Sequence, residues 1–207
     1  MKFSKLRVRR AISNSVSSFP IRRGVNFYGP VNRINLYLCH MKELGLVNRL
    51  LINRFTDFGA YLALSDGDEV LLPKGYLSVE EQAGDEVTVF VYTDSEDRPV
   101  AVTDTPLLLL DEFGVLTCKE VTSFGAFMDW GLLKDLFVPN SEMAKPMTAG
   151  QKYLIRLCAD YRSNRLIGVS KYREFMYSAP KDYMPGSECQ GLIFEKTDLG
   201  YKVLLED

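Results

Sequence analysis

The chain of 207 residues, 46% hydrophobic and 12% aromatic, has room for one large domain or for two to three small ones. Its four cysteines, Cys39, Cys118, Cys158 and Cys189, lie far apart and form no CxxC pair, which argues against a zinc ribbon or a disulfide framework and fits a reducing, cytoplasmic setting. The net charge of −2 hides an imbalance: residues 1–40 hold eight of the 25 bases and none of the 27 acids, leaving 17 bases against 27 acids in the rest, which counts against a broad phosphate-tracking surface.

Residues 1–42 show no sustained helical or strand period, are rich in Arg and Ser, and lack the apolar core of a secretory signal. An organellar transit segment would share this composition. The expectation adopted is a disordered or spurious N-terminal extension, because patterned sequence opens at Met41 with "MKELGLVNRLLI". No apolar run approaches the ~20 residues of a membrane helix, the longest being "PLLLL" at 106–110, so no membrane partner is expected.

From Leu46 onward, short β-type runs punctuated by Gly, Asp and Pro predict strands at 46–54, 59–64, 69–73, 86–92 and 99–103. The pattern then recurs. "VTSFGAFMDWGLLKDLFVP" at 121–139 repeats "FTDFGAYLALSDGDEVLLP" at 55–73 without a gap, 66 residues on. "AGQKYLIRLCADYRSNRLIGVS" at 149–170 likewise matches "AGDEVTVFVYTDSEDRPVAVT" at 83–103 with one inserted residue. The second copy predicts strands at 113–121, 125–130, 135–139, 151–158 and 165–170.

Five strands in ~60 residues suffice for one small closed barrel. The expected fold is therefore all-β, with tandem five-stranded OB-fold barrels at 43–105 and 111–172. Gly59 and Gly125 should let the chain bend sharply at the start of strand two, and Pro73 and Pro139 should end strand three. A third copy opens at "KTDLGYKVLLED" (196–207), with Gly200 in the glycine slot. Two strands cannot bury a barrel core, so 187–207 reads as the truncated start of a third domain, packed as a hairpin or poorly ordered.

Alternation with a bulge near the glycine would bring Phe58 and Tyr61, and equally Phe124 and Phe127, to one outer face of each barrel. There an aromatic ring can stack a base, at roughly 1–3 kcal/mol per base. Burial in the core, the usual fate of Phe, is the competing reading. Lys74, Arg98, Lys134 and Arg165, with Arg54, lie near the same strands and are candidates to hold phosphates, against plain solvation of each. Trp130 is expected to be a partly exposed ring capping the second barrel.

Catalysis is not expected. The single histidine, His40, lies outside both barrels, so no Ser–His–Asp, Cys–His or HExxH set can be assembled. Asp57, Asp68 and Glu69 sit in turn-like stretches where acids are ordinarily solvated. No cofactor, metal or small-molecule substrate is expected.

The strings "FTDFGAY" and "VTSFGAF", each followed by a closing "RPVAVT" or "RLIGVS", are similar to the S1 RNA-binding domain, an OB-fold. In tandem, and with "DWGLLKDLFVP", residues 43–207 look like the conserved virulence factor B (YitL-like) family of bacterial regulators. That resemblance implies three tandem S1-type domains and a winged helix, single-stranded RNA as partner, and a part in controlling gene expression. The third domain would be truncated here and the winged helix missing. It also implies that the stacking aromatics are Phe58 and Tyr61 in the first copy and Phe124 and Phe127 in the second. One departure stands out: Pro73 and Pro139 occupy the end of strand three, where many S1 domains place a base-contacting histidine. The alternative function is an OB-fold protein-interaction module whose acidic surface suits a basic partner.

Overall fold

A computed structural model describes residues 4–7, 19–21, 42–160, 163, 165–172, 188–198 and 200–206. Among these the chain is built from strands, with two single-turn 3₁₀ segments and no α-helix. It divides into two compact units, one of residues 32–170 and one combining residues 1–31 with 171–207.

The second of these units contains β1 (Ser4–Arg7) and β2 (Phe19–Ile21). The first contains β3 (Val47–Thr56), β4 (Gly59–Ala63), β5 (Glu69–Pro73), β6 (Glu86–Thr93) and β7 (Pro99–Val102). These five close into a barrel in the order β3-β4-β5-β7-β6, the parallel contact of Leu71 with Val100 sealing the third strand to the fifth. The second copy supplies β8 (Phe113–Val121), β9 (Gly125–Asp129), β10 (Leu136–Pro139), β11 (Lys152–Asp160) and β12 (Arg165–Val169). Its ladder runs β10-β9-β8-β11-β12, curled so that β10 lies beside β12. Every strand of both barrels falls within two residues of its predicted bounds, and the fold is all-β with two barrels of OB type.

The repeated hairpin explains itself locally. In both copies the first strand carries a bulge six residues before the glycine, between Ile52 and Arg54 and between Cys118 and Glu120. The extra residue increases twist and bends the strand around the barrel. Thr56 Oγ1 and Thr122 Oγ1 each donate to the carbonyl of the glycine three residues on, both at 3.1 Å. A Cβ on Gly59 would lie 2.1 Å from the Leu72 carbonyl oxygen, and on Gly125 2.3 Å from that of Val138, so only glycine lets the two strands approach this closely. Pro73 and Pro139 then end their strands at φ −61° and −60°, the proline value, and lead into the 3₁₀ turns Lys74–Tyr76 and Asn140–Glu142.

The core joins the two barrels. On β6, Val87, Val89 and Val91 face inward among Leu50, Leu62 and Leu72. Phe90 and Tyr92 face the other way, into a cluster with Leu116, Met128 and Trp130 of the second barrel. Trp130 meets their rings edge-on, with centroids at 5.7 and 6.2 Å and interplanar angles of 79° and 82°. It is 2% exposed and donates from Nε1 to the Lys134 carbonyl at 2.5 Å. The expectation of a partly exposed capping ring is therefore corrected: the outer face of β6 covers it. The connector is drawn in as well, with Leu108 buried in the same cluster and the Leu110 amide donating to the Gly45 carbonyl at 2.8 Å.

In the other unit, β13 (Glu188–Thr197) and β14 (Gly200–Glu206) form the hairpin foreseen for the third copy. Its bulge, between Ile193 and Glu195, and the Thr197 Oγ1 bond to the Gly200 carbonyl at 3.2 Å repeat the geometry of the first two. The hairpin is flanked by β1, antiparallel to β13, and β2, parallel to β14. Two stretches of the segment expected to be disordered or spurious are thus strands; the remainder of residues 1–41 lies outside the described residues.

Gly59→Ala should cost about 2–4 kcal/mol in urea unfolding, because the strand pair must separate to admit a methyl group. Gly75→Ala, whose Cβ would meet nothing within 4 Å, should stay within about 0.5 kcal/mol of the parent.

Candidate functional site

Phe58 and Phe124 stand at the tips of the β3–β4 and β8–β9 hairpins, 77% and 79% exposed. The short Thr-x-x-Gly turn leaves neither ring a direction into the core. Their carbonyls accept from the amides of Lys74 (2.9 Å) and Asn140 (3.1 Å), which pins each tip to the 3₁₀ turn after strand three. Two residues into the next strand, Ala60 and Leu62 point inward, as do Ala126 and Met128, so alternation sends Tyr61 and Phe127 to the outer face. None of the four predicted aromatics lies in the core.

The two faces differ in detail. In the first barrel the Arg54 guanidinium lies 4.0 Å over the Tyr61 ring and donates to Glu69 Oε2 from Nε (3.0 Å) and Nη2 (2.7 Å). That bond holds the Glu69 carboxyl below its usual range and raises Arg54, so the pair stays ionised and Tyr61 presents a guanidinium plane rather than a bare ring. In the second barrel Glu120 occupies the Arg54 position, and the ion pair passes to Lys119 and Asp135 at 2.8 Å. Phe127 is left to pack against Phe137, its cross-strand partner, at 5.2 Å between centroids and a 42° tilt. Phe137 escaped the sequence reading, although strict alternation along β10 between inward Leu136 and Val138 marks it as outward-facing. In the third copy the corresponding position is Lys202, paired with Glu195 at 2.7 Å, so the aromatic is lost.

The four candidate phosphate-holding cations do not act alike. Lys74 is exposed beside Phe58. The other three converge on one feature, the β6–β7 hairpin of the first barrel. Arg98 donates to Asp94 Oδ2 at 2.9 and 2.8 Å and pairs with Glu96 at 2.9 Å. Lys134, from the second barrel, donates to the carbonyls of Thr93 (2.8 Å) and Asp94 (2.6 Å) across the junction. Burial pushes its pKa down, the nearby Arg165 acts in the same sense, and Asp97 and Asp94 oppose them. Arg165, also from the second barrel, pairs with Asp97. Of the charges read from the sequence as phosphate ligands, Lys134 and Arg165 thus hold one barrel to the other, while Arg98 braces its own hairpin.

Between that hairpin and the aromatic face of the second barrel lies a cavity of about 550 Å³. Its lining includes Phe124, Phe127 and Phe137 of the second barrel and Thr93, Ser95 and Asp97 of the first. No group of three or more metal-ligating side chains is found among the described residues. No helix there is long and apolar enough to cross a membrane.

Comparison with known proteins agrees with this geometry. Residues 44–104, spanning the closed barrel, match the S1 domain family model. The chain is 36% identical over 96 residues to YitL of Bacillus subtilis (strain 168), covering 45% of this chain and 32% of YitL, so it spans about a third of that relative's length. In three dimensions it resembles a multidomain protein with nucleic acid binding domains from Streptococcus pneumoniae, with a TM-score of 0.55 and 19% identity over 79% of this chain and 73% of the other. At that identity the likeness is one of fold.

Lys134→Met should weaken the fold by about 1–3 kcal/mol, the cost of removing the ammonium from the partly buried carbonyls of Thr93 and Asp94, the latter keeping only the Asp97 amide. It should also shift the emission of Trp130 to the red as the junction loosens, whereas Arg54→Ala, remote from the junction, should leave that emission unchanged.

Proposed function

We propose that this chain binds single-stranded RNA without catalysing a reaction on it, and acts in the regulation of gene expression as a relative of the conserved virulence factor B (YitL-like) proteins. The observation that carries the reading is the placement of Phe58 and Phe124, both more than three-quarters exposed and both at the same hairpin tip in successive copies. Burying a phenylalanine ordinarily contributes about 1.5–3 kcal/mol, which a chain gains nothing by forgoing twice at one position. A stacked base recovers that burial, and every base presents a flat face regardless of its identity. The S1 domain match over residues 44–104 supports the same reading.

The electrostatics set the expected style of binding. With Arg98, Lys134 and Arg165 occupied by acids or carbonyls, Lys74 alone of the four candidate cations is not so engaged among the described residues, so stacking should contribute more than charge. This pairing is also the observation that favours the second reading, an acidic protein-interaction module presenting the same aromatic faces to a basic partner.

Anisotropy of an end-labelled short oligouridine, titrated with the full chain at several salt concentrations, tests the two readings. Phe58→Ala and Phe124→Ala should each weaken binding by roughly 5- to 100-fold, the equivalent of about 1–3 kcal/mol per lost stack. Their urea midpoints should be unchanged, because the rings touch little of the folded chain. The log–log salt slope should be shallow, near −0.7 to −2 for about one to three phosphates. A steep slope insensitive to both substitutions would replace stacking by charge tracking, and no binding at all would leave the protein-interaction module.

A further inference from the structure

We infer that the nucleobase site of the second barrel is a composite of both barrels: one unstacked base enters the cleft between Phe124, Phe127 and Phe137 on one side and the β6–β7 hairpin of the first barrel on the other. This rests on the RNA reading and adds where the base goes and what encloses it.

The cavity of about 550 Å³ falls within the range of small-ligand sites, roughly 300–1,000 Å³, and is large enough to take a base with part of its ribose. An open barrel face stacks a base on one side only, whereas here residues of the β6–β7 hairpin line the same cleft as the rings. That hairpin is held rather than loose. Asp94 organises the hairpin turn by accepting from the amides of Glu96 (2.8 Å) and Arg98 (3.0 Å). Asp97 follows with φ at +64°, a left-handed conformation that Asp tolerates better than most residues. Its carboxylate is thereby paired with Arg165, while Lys134 grips the carbonyls of Thr93 and Asp94.

Charge selects the orientation of the occupant. Asp97 and Asp135 both line the cleft, and Lys134 and Arg165 are already engaged there, so a phosphate gains little by entering. A flat, uncharged heterocycle loses nothing by the acids' presence and gains the aromatic surface. The base therefore points inward and its phosphates stay outside. In this arrangement Asp97 and Arg165 are positioning residues: they set the width of the cleft.

The test exploits opposite signs. Asp97→Gly suits a left-handed φ, removes one negative charge and frees Arg165. Were the hairpin only a neighbour, this change would tighten oligouridine binding, as any added positive charge does. If the hairpin is the second wall, its release should weaken binding about tenfold despite the charge. Glu96→Ala on the same hairpin is the charge-matched control; Glu96 does not line the cleft, and this variant should bind as well as the parent or slightly better. Weakening in Asp97→Gly alone supports the composite site. Equal behaviour of the two variants, with the parent binding RNA and Phe124→Ala impaired, overturns the composite site and leaves the RNA reading standing. Failure of the parent chain to bind RNA removes both, and the cleft is then open to an apolar peptide segment.

Discussion

The second half of strand β6, from Val89 on, is buried on both faces, and the packing of the two barrels depends on that constraint. A strand at the surface of a small barrel ordinarily alternates, one face packed and one wet. In β6 the inward valines complete the first barrel while Phe90 and Tyr92, on what would be the wet face, take up Trp130 of the second. Rings of this size dominate the energetics of any contact they make, and edge-on pairs add about 0.5–1.5 kcal/mol each beyond the area they bury. The second copy shows the contrast. Its equivalents of Phe90 and Tyr92 are Arg156 and Cys158, and Arg156 reaches Asp111 at 2.7 Å. Once β6 is covered, the hairpin that follows it must lie against the second barrel, which brings Asp94 and Asp97 to Lys134 and Arg165.

The hairpin that recurs three times is a smaller and more local device. In the first two copies a bulge, a threonine reaching the glycine carbonyl and a glycine beneath the neighbouring strand form a compact turn that sends its tip phenylalanine outward; the third repeats the bulge and the threonine bond, but a Cβ on Gly200 would meet nothing within 4 Å. The scaffold thereby presents an aromatic ring at low conformational cost, since the backbone below it is fixed by strand pairing. Changes at the outer positions, such as Arg54 against Glu120 or Tyr61 against Phe127 and Lys202, alter what the face offers without disturbing the turn.

Much of this was legible in the sequence because it is periodic. Duplicated strings, two-residue alternation and the punctuating Gly and Pro residues located ten strands; for Phe58, Tyr61, Phe124 and Phe127 the sequence left an outer face and the core as competing readings, and the fold keeps all four out of the core. What escaped was whatever depends on contact between copies. Trp130 reads as a rim residue when its barrel is considered alone, and becomes core only when β6 is laid over it. Lys134 and Arg165 look like free cations because the carbonyls and the acid they bind are about 40 and 68 residues away, in the other copy. The continuous apolar run "VFVY" in β6 was the available signal, since an outward Phe and Tyr between inward valines imply a cover. Phe137 was visible by the same logic of alternation, but in the first copy its place is held by Leu71, so the repeat gave it no emphasis.

The connector and the shared cluster also bear on how such a chain arises. The repeated unit in the sequence is 66 residues long, yet neither 66-residue piece closes its own apolar surface: one lacks a cover for Phe90 and Tyr92, the other for Trp130. Each copy is covered by the other, so separating them would expose Phe90, Tyr92 and Trp130 to water. The module that copies in the gene and the module that folds in water are therefore of different sizes. A boundary drawn from the repeat alone would divide the second through its core.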